Sequence, residues 1–546
     1  MTATAHIDTF AGDNLPPESL QPSFRFELPE LHYPDRLNAC VELLDRMVER
    51  GFGEHRCLVS PGETLTYSAL RERVNRIANV LVRDMGMQPG NRVLLRSANN
   101  PMLASAILAV IKAGGIAVPT MPLLRAREIT YPVKKAKIAF ALCDARLSDE
   151  LEKVKEAAPD LKRIISWGTG TPDSLEALML REGYENFEAC DTAADDTCLI
   201  AFTSGTTGEP KGTMHYHRDL LAICDSYGKY VLRADANDLF TGSPPLAFTF
   251  GLGGGLLFPL RVGAAALLLE KASPDDFAAA IEKFRVTVCF TAPTAYRAIL
   301  SKLSAHDISS LRKCVSAGEA LPKATWDAWY EATGIKILDG IGSTEMLHIF
   351  IGSREEEIRP GATGRPVPGY EAKVTDENGR ELPPGTIGQL AVRGPTGCRY
   401  LADLRQTKYV RDGWNVTGDT YVMDADGYFW YQARSDDMII SSGYNIAGPE
   451  VESVLLTHPA VAECGVVGAA DPERGQLVKA YVVLRAGHAG DAAMTKTLQD
   501  YVKAEIAPYK YPRAIEYVAN LPRTETGKLQ RFRLRETANA RTKMAS

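Results

Sequence analysis

The sequence predicts an α/β protein with a large N-terminal domain and a small C-terminal α+β domain. From about Tyr67 onward, helix-like and strand-like stretches alternate in the rhythm of βαβ units, which build parallel sheets. After about Gly361 short strand-like runs separated by turn signals indicate an antiparallel β unit. From about Ser435 helices and strands alternate again. Since 546 residues are too many for one hydrophobic core, we predict domains at 1–435 and 436–546.

The first part of the chain supplies the elements of this alternation in order. We predict a helix over SALRERVNRIANVLVRDM, a strand at RVLLRS, a helix over PMLASAILAVIKAG and a short strand at IAVP. The rhythm recurs between Ala264 and Leu303, where each strand-like run ends near Gly, Pro or Thr. Loops at the ends of parallel strands bind ligands in such folds, so we expect the functional residues there.

Composition excludes several classes of protein. Hydrophobic residues make up 45% and charged residues 24% of the chain, as in globular proteins. The net charge of -6 provides no broad positive field, so we expect no nucleic-acid partner. The cysteines are dispersed, and the first residues contain acidic side chains and no continuous apolar stretch. Both features favour a cytoplasmic location. Lys112, Pro259 and Arg261 interrupt the two longest apolar stretches, so we expect no membrane span.

A loop suited to polyphosphate follows the apolar run CLIAF. It reads Thr203-Ser-Gly-Thr-Thr-Gly-Glu-Pro-Lys-Gly212. Glycines let backbone N–H groups converge on an anion, hydroxyls add donors, and Lys211 adds a positive charge. The loop is not a Walker A motif, because Pro210 and Gly212 flank the lysine. The alternative interpretation is an exposed flexible loop, since Gly, Ser and Thr are common in turns.

Together with five further motifs in the same order, this loop makes nearly the whole chain resemble the adenylate-forming superfamily. That superfamily includes acyl-CoA and aryl-CoA synthetases, peptide-synthetase adenylation domains and firefly luciferase. The further motifs are SAGEALP from Ser316, DGIGSTE from Asp339, Thr417-Gly-Asp419, the segment from Arg434 to Ile446, and Pro522-Arg-Thr-Glu-Thr-Gly-Lys528. The resemblance implies parallel-sheet subdomains, a β-barrel-like subdomain and a mobile C-terminal domain. It also implies activation of a carboxylic acid by ATP before a thiol attacks.

The resemblance assigns three groups of residues to ATP. The first group would contact the phosphates, the second the adenine and the third the ribose. Ile341 stands where the family usually has an aromatic residue, so adenine would meet an apolar side chain instead. The residues in that order are Thr203, Ser204, Gly205, Thr206, Thr207, Gly208 and Lys211; Gly318, Glu319, Ala320 and Ile341; and Asp419 and Arg434. Asp339, Gly340, Gly342 and Ser343 are also assigned to ATP.

The catalytic and conformational residues also come from the resemblance. Thr344 would contact the α-phosphate, and Glu345, with Thr206, would hold Mg²⁺. Lys528 would stabilise the negative charge that develops at the α-phosphate. The remaining assignments are a hinge at Asp436 and a CoA tunnel at Gly443 and Tyr444. Taken singly, each of these motifs also fits an ordinary turn or a charged linker.

The predicted acid is a small aromatic one. The segment Met-Leu-His-Ile-Phe after Glu345 resembles the benzoate and 2-aminobenzoate CoA ligases more than the fatty-acid or acetate branches. His348 would lie near the ring or the carboxylate, Phe248 would offer a flat face to the ring, and Ala317 would leave depth for it; the alternative for His348 and Phe248 is an ordinary core position. The expected thiol is coenzyme A, with a carrier protein as the alternative. A nonenzymatic nucleotide-binding protein is the alternative from another class, and a homodimer is the expected assembly.

Overall fold

A computed structural model describes residues 3–203, 209–271, 273–434, 437–441, 444–471, 474–506, 508–524 and 529–545. No helix in these ranges is long and apolar enough to cross a membrane. Its strands are β1 Arg56–Ser60, β2 Glu63–Thr66, β3 Arg92–Arg96, β4 Ile116–Thr120, β5 Phe140–Asp144, β6 Arg163–Trp167, β7 Thr197–Thr203, β8 Lys211–Tyr216, β9 Leu239–Gly242, β10 Ala265–Leu267, β11 Val288–Thr291, β12 Lys313–Ser316, β13 Ile337–Gly342, β14 Ile349–Gly352, β15 Arg365–Pro366, β16 Glu371–Thr375, β17 Ile387–Arg393, β18 Val410–Arg411, β19 Trp414–Met423, β20 Phe429–Arg434, β21 Ile439–Ser441, β22 Tyr444–Ile446, β23 Val461–Asp471, β24 Gly475–Leu484 and β25 Ala514–Tyr517.

Helices alternate with these strands over most of the chain. The α-helices are α1 Phe10–Asp13, α2 Tyr67–Asn79, α3 Pro101–Lys112, α4 Ala126–Lys135, α5 Ser148–Ala157, α6 Leu175–Met179, α7 His217–Ile223, α8 Thr249–Leu252, α9 Phe258–Val262, α10 Pro274–Phe284, α11 Pro293–Leu300, α12 Lys323–Thr333, α13 Gln406–Tyr409, α14 Gly448–Leu455, α15 Ala492–Glu505 and α16 Arg531–Ala545. Wider π-type turns lie at Val41–Asp45, Val48–Phe52, Val80–Asp84, Cys224–Leu232 and Gly253–Leu257, and short 3₁₀ turns at Glu18–Leu20, Pro29–Leu31, Ala145–Leu147, Glu355–Glu357 and Pro508–Lys510.

Two largely parallel sheets form the body of the large domain. One has the strand order β15-β14-β13-β12-β11-β9-β10-β1-β2, and the other has the order β6-β5-β3-β4-β7-β8. Neighbours are antiparallel only at the ends: β1 with β2, β13 with β14, β14 with β15, and β7 with β8. The βαβ rhythm of the sequence therefore gives the parallel centre of each sheet.

Helix α3 shows how the sequence sets these elements. It starts at Pro101, whose missing N–H costs nothing at a first helical position, and the Asn100 side chain accepts a hydrogen bond from the Leu103 N–H at 2.9 Å. The helix is buried on nearly every face, which explains its apolar sequence. Its one lysine, Lys112, is buried because its Nζ donates to Asp45 and Asn75 at 2.6 and 2.8 Å.

Two smaller sheets follow. Strands β16 to β20 form an antiparallel sheet in which β19 pairs with β17, β18 and β20. Strands β21 to β25 form a separate sheet around its own hydrophobic cluster. The predicted α/β class with a small C-terminal domain is confirmed. The predicted boundary falls at 435 and 436, outside the described residues, so the ranges 1–435 and 436–546 stay a prediction.

Candidate functional site

The predicted phosphate loop closes a hairpin between β7 and β8. These strands are antiparallel, and their last pair is Thr203 with Lys211. The Thr203 hydroxyl is buried and has no hydrogen-bond partner among the described residues, so it remains available to a ligand. The loop itself, with the predicted phosphate contacts at Ser204, Gly205, Thr206, Thr207 and Gly208, lies outside the described residues.

Lys211, the first residue of β8, contacts Glu345, and a tyrosine contacts both. Lys211 Nζ lies 3.3 Å from Glu345 Oε1 and donates to the Tyr400 hydroxyl at 2.7 Å. The Tyr400 hydroxyl donates in turn to Glu345 Oε1. Burial and the charge of Glu345 raise the pKa of Tyr400 well above its usual value, so the phenol keeps its proton. Sequence reasoning missed Tyr400, although it lies opposite Thr213 of β8 and contacts two predicted site residues.

Glu345 lies in the turn between β13 and β14, which we call the 343–348 turn. The Ser343 hydroxyl accepts from the Met346 N–H at 3.2 Å and lies 3.3 Å from the Tyr409 hydroxyl. Leu347 has a φ of 70°, which is the left-handed region that a leucine adopts only with strain. The predicted residues Thr344 and Glu345 are thus held by a tight turn that the surrounding structure must support.

The far end of the same turn places His348 in an aromatic cluster. Its ring centroid lies 4.6 Å from that of Phe258, 5.5 Å from Tyr227, 5.6 Å from Phe250 and 6.3 Å from Phe290. Neither ring nitrogen has a hydrogen-bond partner of good geometry among the described residues. Burial lowers the pKa of His348 to about 3, so the imidazole is neutral at physiological pH.

Two of the three residues predicted for the acid, Ala317 and His348, are buried. Ala317 is buried and belongs to the hydrophobic cluster that includes Phe258, Phe290 and Leu347. The ring that the motif Pro245-Leu-Ala-Phe-Thr-Phe-Gly251 presents to His348 is Phe250; no ring contact joins Phe248 and His348 in the described structure. Phe248 is half-buried and lies just before α8. Phe250 lies two positions after Phe248 in the same motif, but it was not among the residues predicted for the acid.

The glycines after this motif allow the rings of His348 and Phe290 to pack closely against the backbone. A Cβ atom at Gly253 would lie 2.5 Å from His348 Cδ2, and one at Gly254 would lie 2.5 Å from Phe290 Cγ. Both distances are shorter than real carbon contacts, so any larger residue would displace a ring. The segment that contains these glycines is helical from Thr249 to Val262.

Asp419 and Arg434 face each other on paired strands. They are register partners on β19 and β20, and Arg434 Nη1 donates to Asp419 Oδ1 at 3.1 Å. Burial raises the pKa of Asp419, although the charge of Arg434 opposes the shift. Carboxyl oxygens accept hydrogen bonds from donors such as sugar hydroxyls, which is the role predicted for Asp419.

The residues predicted for adenine lie at the ends of β12 and β13. Gly318 has a φ of 90° and is followed by Glu319 and Ala320, while Gly340, Ile341 and Gly342 pair with β14. Asp339 lines a small cavity with Ser353 and Thr363, and its Oδ1 has no partner in the described part of the chain. Burial raises the pKa of Asp339 to about 8.

The small domain contacts this adenine side. Arg523 Nη1 lies 3.7 Å from Glu319 Oε1, and its Nη2 donates to Glu463 at 2.7 Å. Arg523 also pairs with Leu529, so the two residues flank the segment that contains Lys528. Besides the phosphate loop, three predicted site residues lie outside the described residues, namely Lys528, Asp436 and Gly443. Tyr444 begins β22.

Comparisons with known proteins agree with this geometry. The family described as AMP-binding enzyme matches residues 45–400, and its C-terminal domain matches residues 450–528. The chain is 37% identical to a benzoate–CoA ligase of Thauera aromatica over 513 residues, which are 93% of this chain and 97% of that one. The structure of an anthranilate CoA ligase, AuaEII, in complex with anthranoyl-AMP superposes with a TM-score of 0.90 at 36% identity, covering 94% of this chain and 100% of that one.

A second solved structure gives the same result. A benzoate CoA ligase from Burkholderia xenovorans LB400 superposes with a TM-score of 0.81 at 33% identity, covering 91% of this chain and 100% of that one. The family matches extend over both domains, and the match over residues 45–400 includes the phosphate hairpin and the 343–348 turn. The chain belongs to the family of AMP-binding enzymes, the adenylate-forming superfamily.

Proposed function

We propose that this chain is an ATP-dependent aryl-acid CoA ligase, an acid–thiol ligase acting on benzoate or 2-aminobenzoate. One observation carries the proposal. The 343–348 turn presents the Glu345 carboxylate to Lys211 of the phosphate hairpin at one end and the His348 ring to an aromatic cluster at the other. A single short turn therefore joins a site for phosphates to a site for a flat apolar acid. The benzoate and anthranilate ligases named among the relatives support the same substrates.

The reaction has two steps. A carboxylate is a poor electrophile because its leaving group would be oxide, so a carboxylate oxygen first attacks the α-phosphorus of ATP and pyrophosphate leaves. The thiol sulfur of CoA then attacks the carbonyl carbon of the aryl-AMP, the thiol proton is lost, and AMP leaves with the transferred oxygen. In this proposal no side chain forms a covalent bond, because binding and electrostatic stabilisation of the α-phosphate are sufficient.

The nucleotide side of the proposal uses charges already in place. Lys211 exchanges its contact with Glu345 for the phosphates of ATP, and the Thr344 hydroxyl contacts the α-phosphate. Asp419 accepts hydrogen bonds from the ribose hydroxyls. Lys528 stabilises the charge that develops at the α-phosphate.

Mg²⁺ fits the donor set of this site. The Glu345 carboxylate is a hard oxygen ligand next to the phosphate hairpin, and Mg²⁺ is commonly bound through one or two carboxylates together with substrate phosphates. Thr206 is the second protein ligand in the proposal. When bound, the ion would neutralise charge on the phosphates. Glu345 is then the residue that orients it.

The acid side of the proposal depends on His348. A neutral imidazole has one N–H donor and one acceptor nitrogen, so it can donate to a carboxylate and accept from the amino group of 2-aminobenzoate. Buried nitrogens without a partner are costly, and a bound acid would satisfy them. Ala317 leaves space for a ring, and Phe248 and Phe250 offer flat faces. A long alkyl chain would not use these features.

The CoA arm, the hinge and the cell location complete the proposal. Gly443 and Tyr444 line the path of the pantetheine arm, and the small domain rotates at Asp436 between the two steps. All ten cysteines are free, which agrees with a reducing cytoplasm. A homodimer is the proposed assembly, and light scattering after size-exclusion chromatography tests it.

The experiment that tests the function is pyrophosphate release with ATP, Mg²⁺ and single acids, each with and without CoA. The acids are benzoate, 2-aminobenzoate, hydroxybenzoates, acetate and decanoate. We expect release with the aryl acids only, and aryl-CoA when CoA is added. Adenylation without thioester formation would point to a carrier-protein thiol instead. No pyrophosphate with any of these acids would contradict the proposal.

A further inference from the structure

Strand β8 supports the 343–348 turn at two points. Successive strand residues point to opposite faces, so Lys211 and His215 lie on the same face. Lys211 Nζ lies 3.3 Å from the Glu345 carboxylate, and His215 Nε2 lies 2.9 Å from the backbone carbonyl oxygen of Thr344. One strand therefore holds the side chain of Glu345 and the peptide that precedes it.

The proton on His215 is fixed by this contact. A carbonyl oxygen can only accept a hydrogen bond, so Nε2 must be the donor. The side chain is fully buried, and its Nδ1 lies 3.8 Å from Asp219 Oδ2. Asp219 Oδ2 also accepts from Arg399 Nη1 at 2.7 Å and from the Tyr216 N–H at 3.0 Å.

The group behind His215 is a buried ion pair between Asp219 and Arg399. Burial alone would raise the pKa of Asp219, but the charge of Arg399 holds it below the usual value. The Arg399 guanidinium carbon lies 3.7 Å from the ring centroid of Tyr216 and 4.4 Å from that of Phe24. The His215 imidazole therefore lies beside a buried ion pair, and the arginine of that pair packs against two aromatic rings.

We propose that His215 is a positioning residue for acid activation: its Nε2–H holds the Thr344 carbonyl and thereby orients the Thr344 hydroxyl and the Glu345 carboxylate toward the nucleotide. The turn needs such support, since Leu347 has a φ of 70° and so lies in a sparsely populated, strained left-handed conformation. This inference rests on the proposed function for the roles of Thr344 and Glu345, whereas the contacts of His215 do not depend on that function.

Three substitutions at this position separate positioning from packing. His215→Gln keeps a donor, because the Gln amide nitrogen is as many bonds from Cα as the imidazole Nε2. His215→Asn is polar but one bond too short, and His215→Leu removes the donor. The matched control is His217→Gln, because His217 is an equally buried histidine that accepts from the Ala39 N–H at 3.1 Å and supports another part of the chain.

Two readouts decide the role. The first is kcat and KM for aryl-acid-dependent pyrophosphate release. We expect kcat to fall about 10- to 100-fold in His215→Leu and His215→Asn while KM for the acid stays within about 3-fold, because misplaced groups lose orientation. His215→Gln should stay within about 3-fold of the parent enzyme for the same reason. The second is binding of a non-hydrolysable ATP analogue with and without Mg²⁺, where only the Leu and Asn variants should lose the gain from Mg²⁺.

Each outcome bears on the inference. Should His215→Leu fail to fold, the Gln and Asn variants decide it, since both are polar and differ in reach. Equal loss in the Gln and Asn variants, normal values in both, or the same loss in His217→Gln would overturn it. Inactivity of the parent enzyme with every acid would instead refute the proposed function, and the binding measurement would still test His215.

Discussion

A methyl group added at Gly253 should disable acid binding while leaving the nucleotide site intact. The Cβ of Gly253→Ala would lie 2.5 Å from His348 Cδ2, 2.7 Å from its Nε2 and 3.1 Å from Phe258 Cε2, whereas ordinary contacts begin at 3.4 Å. The imidazole must therefore move by about 1 Å, and a displacement of that size at a reacting group costs up to about 100-fold in rate. Tyr227 and Phe290 pack on the ring as well, so it has no free direction to retreat.

The effect on stability should be smaller than the effect on activity. Overpacking a buried site costs about 1 to 3 kcal/mol, and replacing a helical glycine by alanine recovers about 1 kcal/mol. The net loss is then at most about 2 kcal/mol, so the variant should fold. Steady-state pyrophosphate release with the aryl acid and ATP varied separately measures the activity. We expect kcat/KM for the acid to fall by about 100-fold, with KM for ATP within about 3-fold.

Gly255→Ala is the matched control in the same helical run. Its Cβ would meet Leu246 Cδ2 at 2.9 Å, which is the end of a flexible side chain that can turn away. Parent-like kinetics are expected for Gly255→Ala. Parent-like kcat/KM for the acid in Gly253→Ala, or an equal rise in KM for ATP, would refute the assignment of His348 to the acid.

Three further predictions concern the nucleotide side. Tyr400→Phe removes the hydroxyl that joins Lys211 and Glu345, so pyrophosphate release should slow by about 10-fold with KM for the acid unchanged; an unchanged rate would contradict this role. Asp419→Ala should raise KM for ATP by about 10- to 100-fold, and isothermal titration with ATP should show the same weakening, because hydrogen bonds to a charged group are lost; equal affinity would exclude the ribose contact. The pKa of Asp339 is raised to about 8, so its contribution to stability is complete below about pH 4 and is lost as the pH rises toward about 8. Asp339→Asn should therefore flatten the decline of the thermal midpoint over that range, and an unchanged slope would count against a buried neutral carboxyl.

Much of the fold was predictable because its signals are local. Helix α3 has a capping Asn100, a first-turn Pro101 and a continuous apolar stretch, so its position follows from neighbouring residues alone. The phosphate loop is likewise a contiguous string of Gly, Ser, Thr and Lys. In α3 the burial of Lys112 was not predictable. Its partner Asp45 comes from a different part of the chain, so the neighbouring residues do not reveal the ion pair.

The contacts that organise the site were not predictable, since they join distant parts of the sequence. Tyr400 is 189 residues from Lys211, and its role depends on the pairing of its segment with β8. His215 carries no motif signal, because its partner is a backbone carbonyl. The glycines from Gly253 to Gly255 lie in a helical run despite their low helix propensity, and Gly253 and Gly254 leave the space that His348 and Phe290 occupy.

The central claim is that this protein joins an aryl acid to AMP before thioester formation, and an isotope measurement tests it most directly. Benzoate or 2-aminobenzoate labelled with oxygen-18 in its carboxylate is converted with ATP and CoA, and the nucleotide product is analysed by mass spectrometry. Attack of the carboxylate on the α-phosphorus predicts AMP that carries one heavy oxygen from the acid. Unlabelled AMP, or label in a phosphate released with ADP, would show that the acid never bonded to the α-phosphate and would contradict the account.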